Sequence, residues 1–233
     1  MWLIHSSVGR KVIMSVTGIF LILFLTFHSI MNITVLFGEK GDIYNDICRL
    51  LGANWYAIIG TAVLAAGFVV HILYALYLTW LNLKARGNDR YAVTQRQEGV
   101  SWASKNMFVL GLIIFGFLAL HLFHFWTKMQ LVELTAIAKK VNWETLTQVN
   151  PHDGAFLINE LFSKPLYSII YIVWLAALWF HLTHGVWSAL HSIGLNNKTW
   201  LPRVKKISNV YSTIIILLFI AIPVYFLLGF RVL

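Results

Sequence analysis

The sequence has few of the charged residues with which water-soluble proteins cover their surface. Only 12% of its 233 residues are charged and 59% are hydrophobic, whereas a soluble domain is about 45–50% apolar. This composition excludes a soluble globular domain and predicts an integral membrane protein surrounded by a lipid bilayer. A net charge of +9 would suggest nucleic acid in a soluble protein, but here the basic residues lie in short segments beside apolar runs. We therefore exclude nucleic acid as a partner.

Cysteine is almost absent, since Cys48 is the single thiol of the chain. One thiol excludes a disulfide within the chain and an iron–sulfur cluster bound by this chain alone, which needs about four thiolates. The sequence also lacks a glycine-rich nucleotide loop, a nucleophile elbow and a repeat of fixed period. Soluble catalytic chemistry must therefore come from another chain, and any electron-carrying metal must use ligands other than thiolates.

Five apolar runs dominate the chain, at about residues 12–37, 55–83, 106–127, 165–194 and 209–230. A helix needs about 20 apolar residues to cross a bilayer, and each run is near or above that length. The sequence therefore predicts an all-α fold, an integral membrane five-helix bundle in a single domain over residues 1–233. We interpret segment 128–164 as a small cap lying on the membrane, with a helical stretch around 130–148.

The basic residues predict the orientation of these spans. Eleven of the eighteen Lys and Arg residues lie in the N-terminal segment and in the loops 84–105 and 195–208. The seven others share their side of the membrane with seven of the nine acidic residues. By the positive-inside rule, the N-terminus and these two loops are cytoplasmic. An odd number of spans then predicts that the C-terminus lies outside.

Histidine is the informative residue type within the spans, since the first four spans carry His28, His71, His121 and His181 in their interiors. At 1.5 Å per residue, His28 and His121 lie about 10–15 Å from the outer ends of their helices, and His71 and His181 lie about 24 Å deep. Two facing imidazoles at one depth are suited to axial ligation of a haem iron. We predict two haems b, the outer one bound by His28 and His121 and the inner one by His71 and His181.

Other roles for these histidines stay open at this point. An intramembrane histidine is also found as a hydrogen-bonded packing residue or as a member of a proton relay. His124 and His184 each follow a proposed ligand by three residues, so either is an alternative ligand or a partner of a haem propionate. His191 lies near the inner end of its span, at headgroup level. His5 and His152 are expected to be solvated or interfacial.

Short motifs around these histidines occur in a characteristic order. They are Ser6-Ser7-Val8-Gly9-Arg10-Lys11, Phe27-His28-Ser29, His71-Ile72-Leu73-Tyr74-Ala75-Leu76-Tyr77, Leu120-His121, and His181 four residues before Gly185-Val186-Trp187. With these motifs, nearly the whole chain resembles the di-haem cytochrome b membrane anchor of the succinate:quinone oxidoreductase and quinol:fumarate reductase family, in its single five-span form.

The resemblance implies both ligands and partners. In that family the fourth ligand precedes a Gly-aliphatic-aromatic step by four residues, which favours His181 over His184. The third ligand lies ten residues after a glycine, here Gly111, which favours His121 over His124. The resemblance further implies an iron–sulfur subunit and a flavoprotein subunit on the cytoplasmic side, menaquinone as substrate, and the cytoplasmic membrane of a bacterium. The chain would then belong to a succinate dehydrogenase or fumarate reductase complex that interconverts succinate and fumarate.

A carboxylate at or just after the end of helix one serves menaquinol chemistry in some members of the family. This sequence offers Glu39, Asp42 and Asp46 in that region. We expect Asp46 to take the role, because its apolar neighbours Ile43 and Ile47 would fold it back onto the bundle. Partial burial suits a carboxyl group for proton exchange.

Two other functions remain as alternatives. A di-haem cytochrome b subunit of a hydrogenase or formate dehydrogenase would have the same histidine layers. A haem-free transporter of protons or divalent metal would use the histidines as relay groups or ligands.

Overall fold

The computed structural model describes residues 6–52, 54–86, 101–195 and 197–233, and the regular structure within these ranges is helical. Five helices are long and apolar enough to cross a membrane, which confirms the predicted all-α class and the five spans. They are α1 (Ser7–Ile33), α3 (Trp55–Arg86), α5 (Met107–His121, continued by a π-helical turn over Leu122–Trp126), α8 (Pro165–Ser192) and α9 (Trp200–Leu227).

Shorter elements connect the spans. Helix α2 (Asp42–Leu50) follows a 3-10 turn at Thr34–Leu36, and α4 (Trp102–Lys105) leads into α5. Helix α6 (Gln130–Lys139), a 3-10 turn at Trp143–Thr145 and α7 (Gly154–Phe162) lie between α5 and α8. The helix expected around 130–148 is therefore present in its first half, whereas α2 and α7 were not predicted. Residues 87–100 of the predicted cytoplasmic loop lie outside the described residues.

Two spans begin earlier than their apolar runs. Helix α1 begins at Ser7 because the hydroxyl of Ser6 accepts the N–H of Gly9 at 2.9 Å, an N-cap that extends the helix through two basic residues. Helix α9 begins at Trp200 instead of residue 209, and the side chain of Asn197 accepts the N–H of Trp200 at 2.7 Å. Most of the predicted loop 195–208 is therefore helical. Lys and Arg on such an extension keep their charged ends in the polar layer.

The spans pack around a central trio. Helices α1, α8 and α9 pack on one another, α3 packs on α1, and α5 packs on α8. The α8–α9 contact buries Leu178, Leu182 and Ile216, and the fully buried Ser208 and Ser212 bring α9 close to its neighbours. The most apolar window of α3 contains no buried residue. Helix α3 therefore lies at the periphery of the bundle, and it places His71 beside the central trio.

Helix α2, which follows α1, and helices α6 and α7, which precede α8, form a cap on the same end of the bundle. The sequence predicts such a cap for segment 128–164. Tyr44 of α2 and Ile158 of α7 are buried against Phe226 of α9. The side chain of Asn45 joins α2 to α7, since it donates to Asp153 at 2.9 Å and accepts the N–H of Ala155 at 2.9 Å. The cap covers the end of the bundle at which His28 and His121 lie.

Candidate functional site

The structure brings His28 and His121 together. His28 lies five residues before the end of α1, and His121 is the last residue of α5. Their ring centroids are 5.9 Å apart and the rings are nearly perpendicular, at 87°. Metal–imidazole bonds are about 2 Å long, so two imidazoles on opposite sides of one metal have centroids about 6 Å apart. The spacing of this pair therefore fits two axial ligands of one iron.

Aromatic side chains enclose this outer pair. Phe24 stacks on His28 with a centroid separation of 5.1 Å. Phe125 and Trp174 approach His121 at 5.2 and 5.7 Å. Flat apolar surfaces of this kind suit a planar macrocycle, which needs dispersion contacts on its faces and edges.

A hydrogen-bonded chain connects His28 to the cap. The Nδ2 atom of Asn32 lies 3.2 Å from Nδ1 of His28, and the hydroxyl of Tyr44 donates to Oδ1 of Asn32 at 3.2 Å. The same Nδ2 atom donates to the carbonyl of His28 at 2.7 Å, so the amide is held between α1 and the cap. Asn32 therefore fixes the orientation of the His28 ring.

A threonine on α1 contacts His71, one member of the predicted inner pair. The hydroxyl of Thr17 lies 3.2 Å from Nδ1 of His71 and donates to the carbonyl of Ile13 at 2.9 Å. It therefore accepts a hydrogen bond from the Nδ1–H group, which leaves the lone pair of Nε2 for a metal. The Cε1 atom of His71 would be 3.8 Å from a Cβ at Gly18, so the ring lies over the backbone of α1.

His181 lies sixteen residues after the start of α8, about 24 Å from the end of the helix that adjoins the cap. Among the described residues, the buried Nδ1 atoms of His121, His181 and His184 have no hydrogen-bond partner. An unpaired buried polar atom is unfavourable. In contrast to His28 and His71, these three rings receive no Nδ1 partner from the described part of the chain.

Open space lies beside two glycines on the histidine-bearing helices. Within the described part of the chain, no atom beyond the adjoining helix backbone and chain neighbours lies within 4 Å of a Cβ built on Gly111 or on Gly185, and both residues are partly buried. Gly185 lies one turn after His181 on α8. Gly111 lies ten residues inward of His121 on α5, which is about 15 Å and near the depth of the inner pair. The absence of side chains at these positions leaves room for a macrocycle.

The two pairs lie at different depths. His28 and Thr17, which contacts His71, lie eleven residues apart on α1. This separation corresponds to about 16 Å along the helix. The four histidines thus occupy two layers, the arrangement that suits two haems.

The alternative histidines have contacts of their own. His124 is buried against α8, where its Nδ1 lies 3.0 Å from the hydroxyl of Tyr171. It lies in the π-helical turn that follows His121, and both rings lie beside Tyr171, with centroid separations of 6.0 Å for His124 and 6.4 Å for His121. His184 packs on the edge of Trp187 at 5.0 Å, and Trp187 also contacts His191.

Asp46 lacks the burial that we expected. Its side chain is 69% exposed and pairs with Arg49. The residues of α2 that face the bundle are Tyr44 and Cys48, one turn apart, and Asp46 lies about 200° around the helix from each. Burial raises the pKa of Cys48 to about 11, so this residue is a neutral thiol at pH 7.

The structure buries a different carboxylate in the cap. Glu133 of α6 is 7% exposed, and its Oε1 lies 2.8 Å from Nδ1 of His152. The pair faces a cavity of about 410 Å³ that is also lined by Arg49, Lys140 and Trp143. Sequence reasoning missed both residues and expected His152 to be solvated or interfacial. The available signal was the position of Glu133, three residues before Ala136 on the buried side of α6.

Chemically, the site offers four intramembrane imidazoles, with aromatic surroundings at His28 and His121, and one buried carboxyl group in the cap. Neutral imidazole is the form that binds metals. No family model, curated protein or solved structure matches this chain.

Proposed function

We propose that this protein is the membrane anchor of a succinate dehydrogenase or fumarate reductase complex and holds two b-type haems. The observation that carries the proposal is the 5.9 Å separation of the His28 and His121 rings. The hydrogen bond between Thr17 and His71 and the order of the sequence motifs also support it. The membrane would be the cytoplasmic membrane of a bacterium.

In this proposal, residues of the chain bind the haems, orient the ligating histidines and exclude water. His28 and His121 hold the outer haem, and His71 and His181 hold the inner one. When bound, haem iron accepts and releases one electron at a time. Asn32 and Thr17 hold the Nδ1 sides of two ligands, and Phe24, Phe125 and Trp174 exclude water from the outer pair.

The two faces of the membrane would have different partners. The basic cytoplasmic segments would dock an iron–sulfur subunit that carries the flavoprotein, because basic surfaces attract acidic ones. Menaquinone would react near the outer pair and exchange protons with the outer side. Asp46 stays our prediction from the sequence for that exchange, and the buried Glu133 is a second candidate from the structure.

Haem content per chain tests the proposal. The purified protein should contain two haems b, counted by pyridine haemochrome and by its reduced-minus-oxidised spectrum. His28→Ala and His121→Ala should each lose the outer haem, and His71→Ala and His181→Ala should each lose the inner one. His124→Ala and His184→Ala are matched controls that should keep both haems.

The alternatives give different results in the same experiment. Absence of a b-type Soret band from the purified, correctly folded protein would overturn the proposal and favour a haem-free transporter. If the protein contains two haems but copurifies with a hydrogenase or formate dehydrogenase subunit, the histidine assignment stands and the proposed partner is wrong. Loss of a haem in His124→Ala or His184→Ala, with both haems retained in His121→Ala or His181→Ala, would reassign the ligands.

A further inference from the structure

A groove lies on the side of the bundle that the sequence predicts to be cytoplasmic. It runs between α4, the inner half of α8 and the basic first half of α9, and it encloses about 450 Å³. Its lining includes Trp102, Ser104, Trp179, Phe180, Trp187 and Lys205. None of these residues belongs to the proposed haem ligands.

The deeper part of the groove is aromatic. Phe180 contacts Trp102 at 5.1 Å and Trp179 at 4.9 Å, both edge-on. Trp102 remains 59% exposed and Phe180 38% exposed. Two large rings of adjacent helices therefore present apolar surface that the bundle itself does not cover.

The shallow part of the groove is basic. The Nζ atom of Lys205 lies 4.6 Å from the ring centroid of Trp187, within the range of a cation–π contact. Ser104 and Asn209 add polar groups nearby, and no carboxylate is among the described residues that line the groove. The charge at this end therefore suits an anion.

The polarity changes along the groove on the scale of a lipid. Trp187, beside Lys205, and Trp179, in the aromatic part, are eight residues apart on α8. This is about 12 Å, from near the end of the span into its apolar interior. An amphiphile with an anionic head and a hydrocarbon chain matches both ends, whereas an inorganic anion matches only the basic end.

We propose that this groove binds one anionic phospholipid of the cytoplasmic leaflet. Lys205 contacts the phosphate, and an acyl chain lies across Trp102 and Phe180. The anionic surface of that leaflet attracts Lys and Arg close to it. The proposal does not depend on haem binding, because none of its residues ligates iron.

Native mass spectrometry of the delipidated full-length protein tests this site. Phosphatidylglycerol, phosphatidylcholine and inorganic phosphate are added back in separate titrations. The wild-type chain should bind one phosphatidylglycerol in preference to phosphatidylcholine. Lys205→Gln should weaken that binding about fivefold, the effect of one lysine near an anionic surface, and Lys205→Arg should restore it.

Two further variants separate headgroup from chain contacts. Trp102→Ala should weaken phosphatidylglycerol binding, since it removes part of the apolar wall. Lys206→Gln is the matched control, because Lys206 is exposed on the same helix and does not line the groove. Equal binding of the two lipids, unchanged affinity in correctly folded Lys205→Gln, or displacement of the lipid by inorganic phosphate would overturn the proposal.

Discussion

At the scale of single residues, the partner of the Nδ1 atom distinguishes the intramembrane histidines. His71 contacts the hydroxyl of Thr17, which already donates to a carbonyl of α1 and therefore accepts a hydrogen bond from the imidazole N–H. His28 contacts the amide nitrogen of Asn32, which also donates to the carbonyl of His28. His124 contacts the hydroxyl of Tyr171. Such contacts decide which ring nitrogen carries the proton and which binds a metal.

The first prediction concerns Thr17. Thr17→Val keeps the shape of the side chain and removes the acceptor for His71, so the inner haem should bind about 10–100-fold more weakly, as for other outer-shell partners. The outer haem should be unaffected. The measurement is haem retention during dilution, combined with a redox titration of each haem.

Controls distinguish this effect from general destabilisation. Thr17→Ser should behave as the wild type because it keeps the hydroxyl. Thr79→Val should also retain both haems, since the hydroxyl of Thr79 donates to the carbonyl of Ala75 on its own helix. Wild-type affinity and potential of the inner haem in Thr17→Val would show that the threonine does not position His71.

The second prediction compares the two candidate carboxylates. Asp46 is exposed and paired with Arg49, whereas Glu133 is buried beside His152. Because a shielded carboxyl group is the better proton-exchange group, Glu133→Gln should lower quinone-linked turnover of the assembled complex about 100-fold, within the usual range for general acid–base groups. Both haems and dye-linked turnover should be retained.

Asp46→Asn is the matched comparison for this prediction. It should leave quinone-linked turnover close to that of the wild type if Glu133 has the role. The reverse result, with loss in Asp46→Asn and normal turnover in Glu133→Gln, would support the assignment made from the sequence.

At the scale of elements, the cap depends on close contact between α2 and α7. A Cβ at Gly154 would lie 2.6 Å from Sγ of Cys48 and 2.6 Å from Cε1 of Tyr44. Tyr44 is also the cap residue that donates to Asn32. A change in the α2–α7 contact is therefore transmitted toward His28 through one hydrogen-bonded chain.

The third prediction is that Gly154→Ala destabilises the cap. The added methyl group forces α2 and α7 apart, and overpacking of this kind costs about 1–3 kcal/mol. Thermal unfolding in detergent should show a lowered midpoint. Gly60→Ala is the control, because a Cβ at Gly60 meets no atom within 4 Å and alanine favours the helix. Equal midpoints for the two variants would mean that the cap accommodates the methyl group.

At the scale of the whole molecule, the charge is distributed unequally between the two ends of the bundle. The N-terminal segment through Lys11 and the segments 84–105 and 195–208, which include the charged ends of α1, α3 and α9, carry eleven of the eighteen basic residues. The other end carries the cap, with seven basic and seven acidic residues. This difference favours a cytoplasmic location for the first end.

The fourth prediction is the resulting topology. A phosphatase reporter that is active only outside the cytoplasm should be active when it is fused after Leu233 and inactive when it is fused after Lys198. A fluorescent reporter that folds only in the cytoplasm should show the opposite pattern. Phosphatase activity at Lys198 alone would reverse the orientation and place the cap on the cytoplasmic side.

Most of the fold follows from the sequence because the hydrophobicity and length of a span are local properties. The five apolar runs predict five helices, and their ends differ from the structure mainly where polar side chains cap them. Ser6 and Asn197 extend α1 and α9 into charged segments that a hydrophobicity pattern assigns to loops. Helices α2 and α7 were missed because they are short and are stabilised by packing against each other.

The features of the site also differ in whether local sequence or tertiary contacts determine them. The sequence by itself determined that four spans carry one deep histidine each and that these lie at two depths, because helical rise is constant. Only the tertiary structure decided that His121 faces His28 while His124 faces Tyr171, that Glu133 is buried, and that Asp46 is exposed. These outcomes depend on which helix lies beside each face. Contacts between segments far apart in the chain determine which helices are neighbours, and the periodicity of a single segment does not predict those contacts.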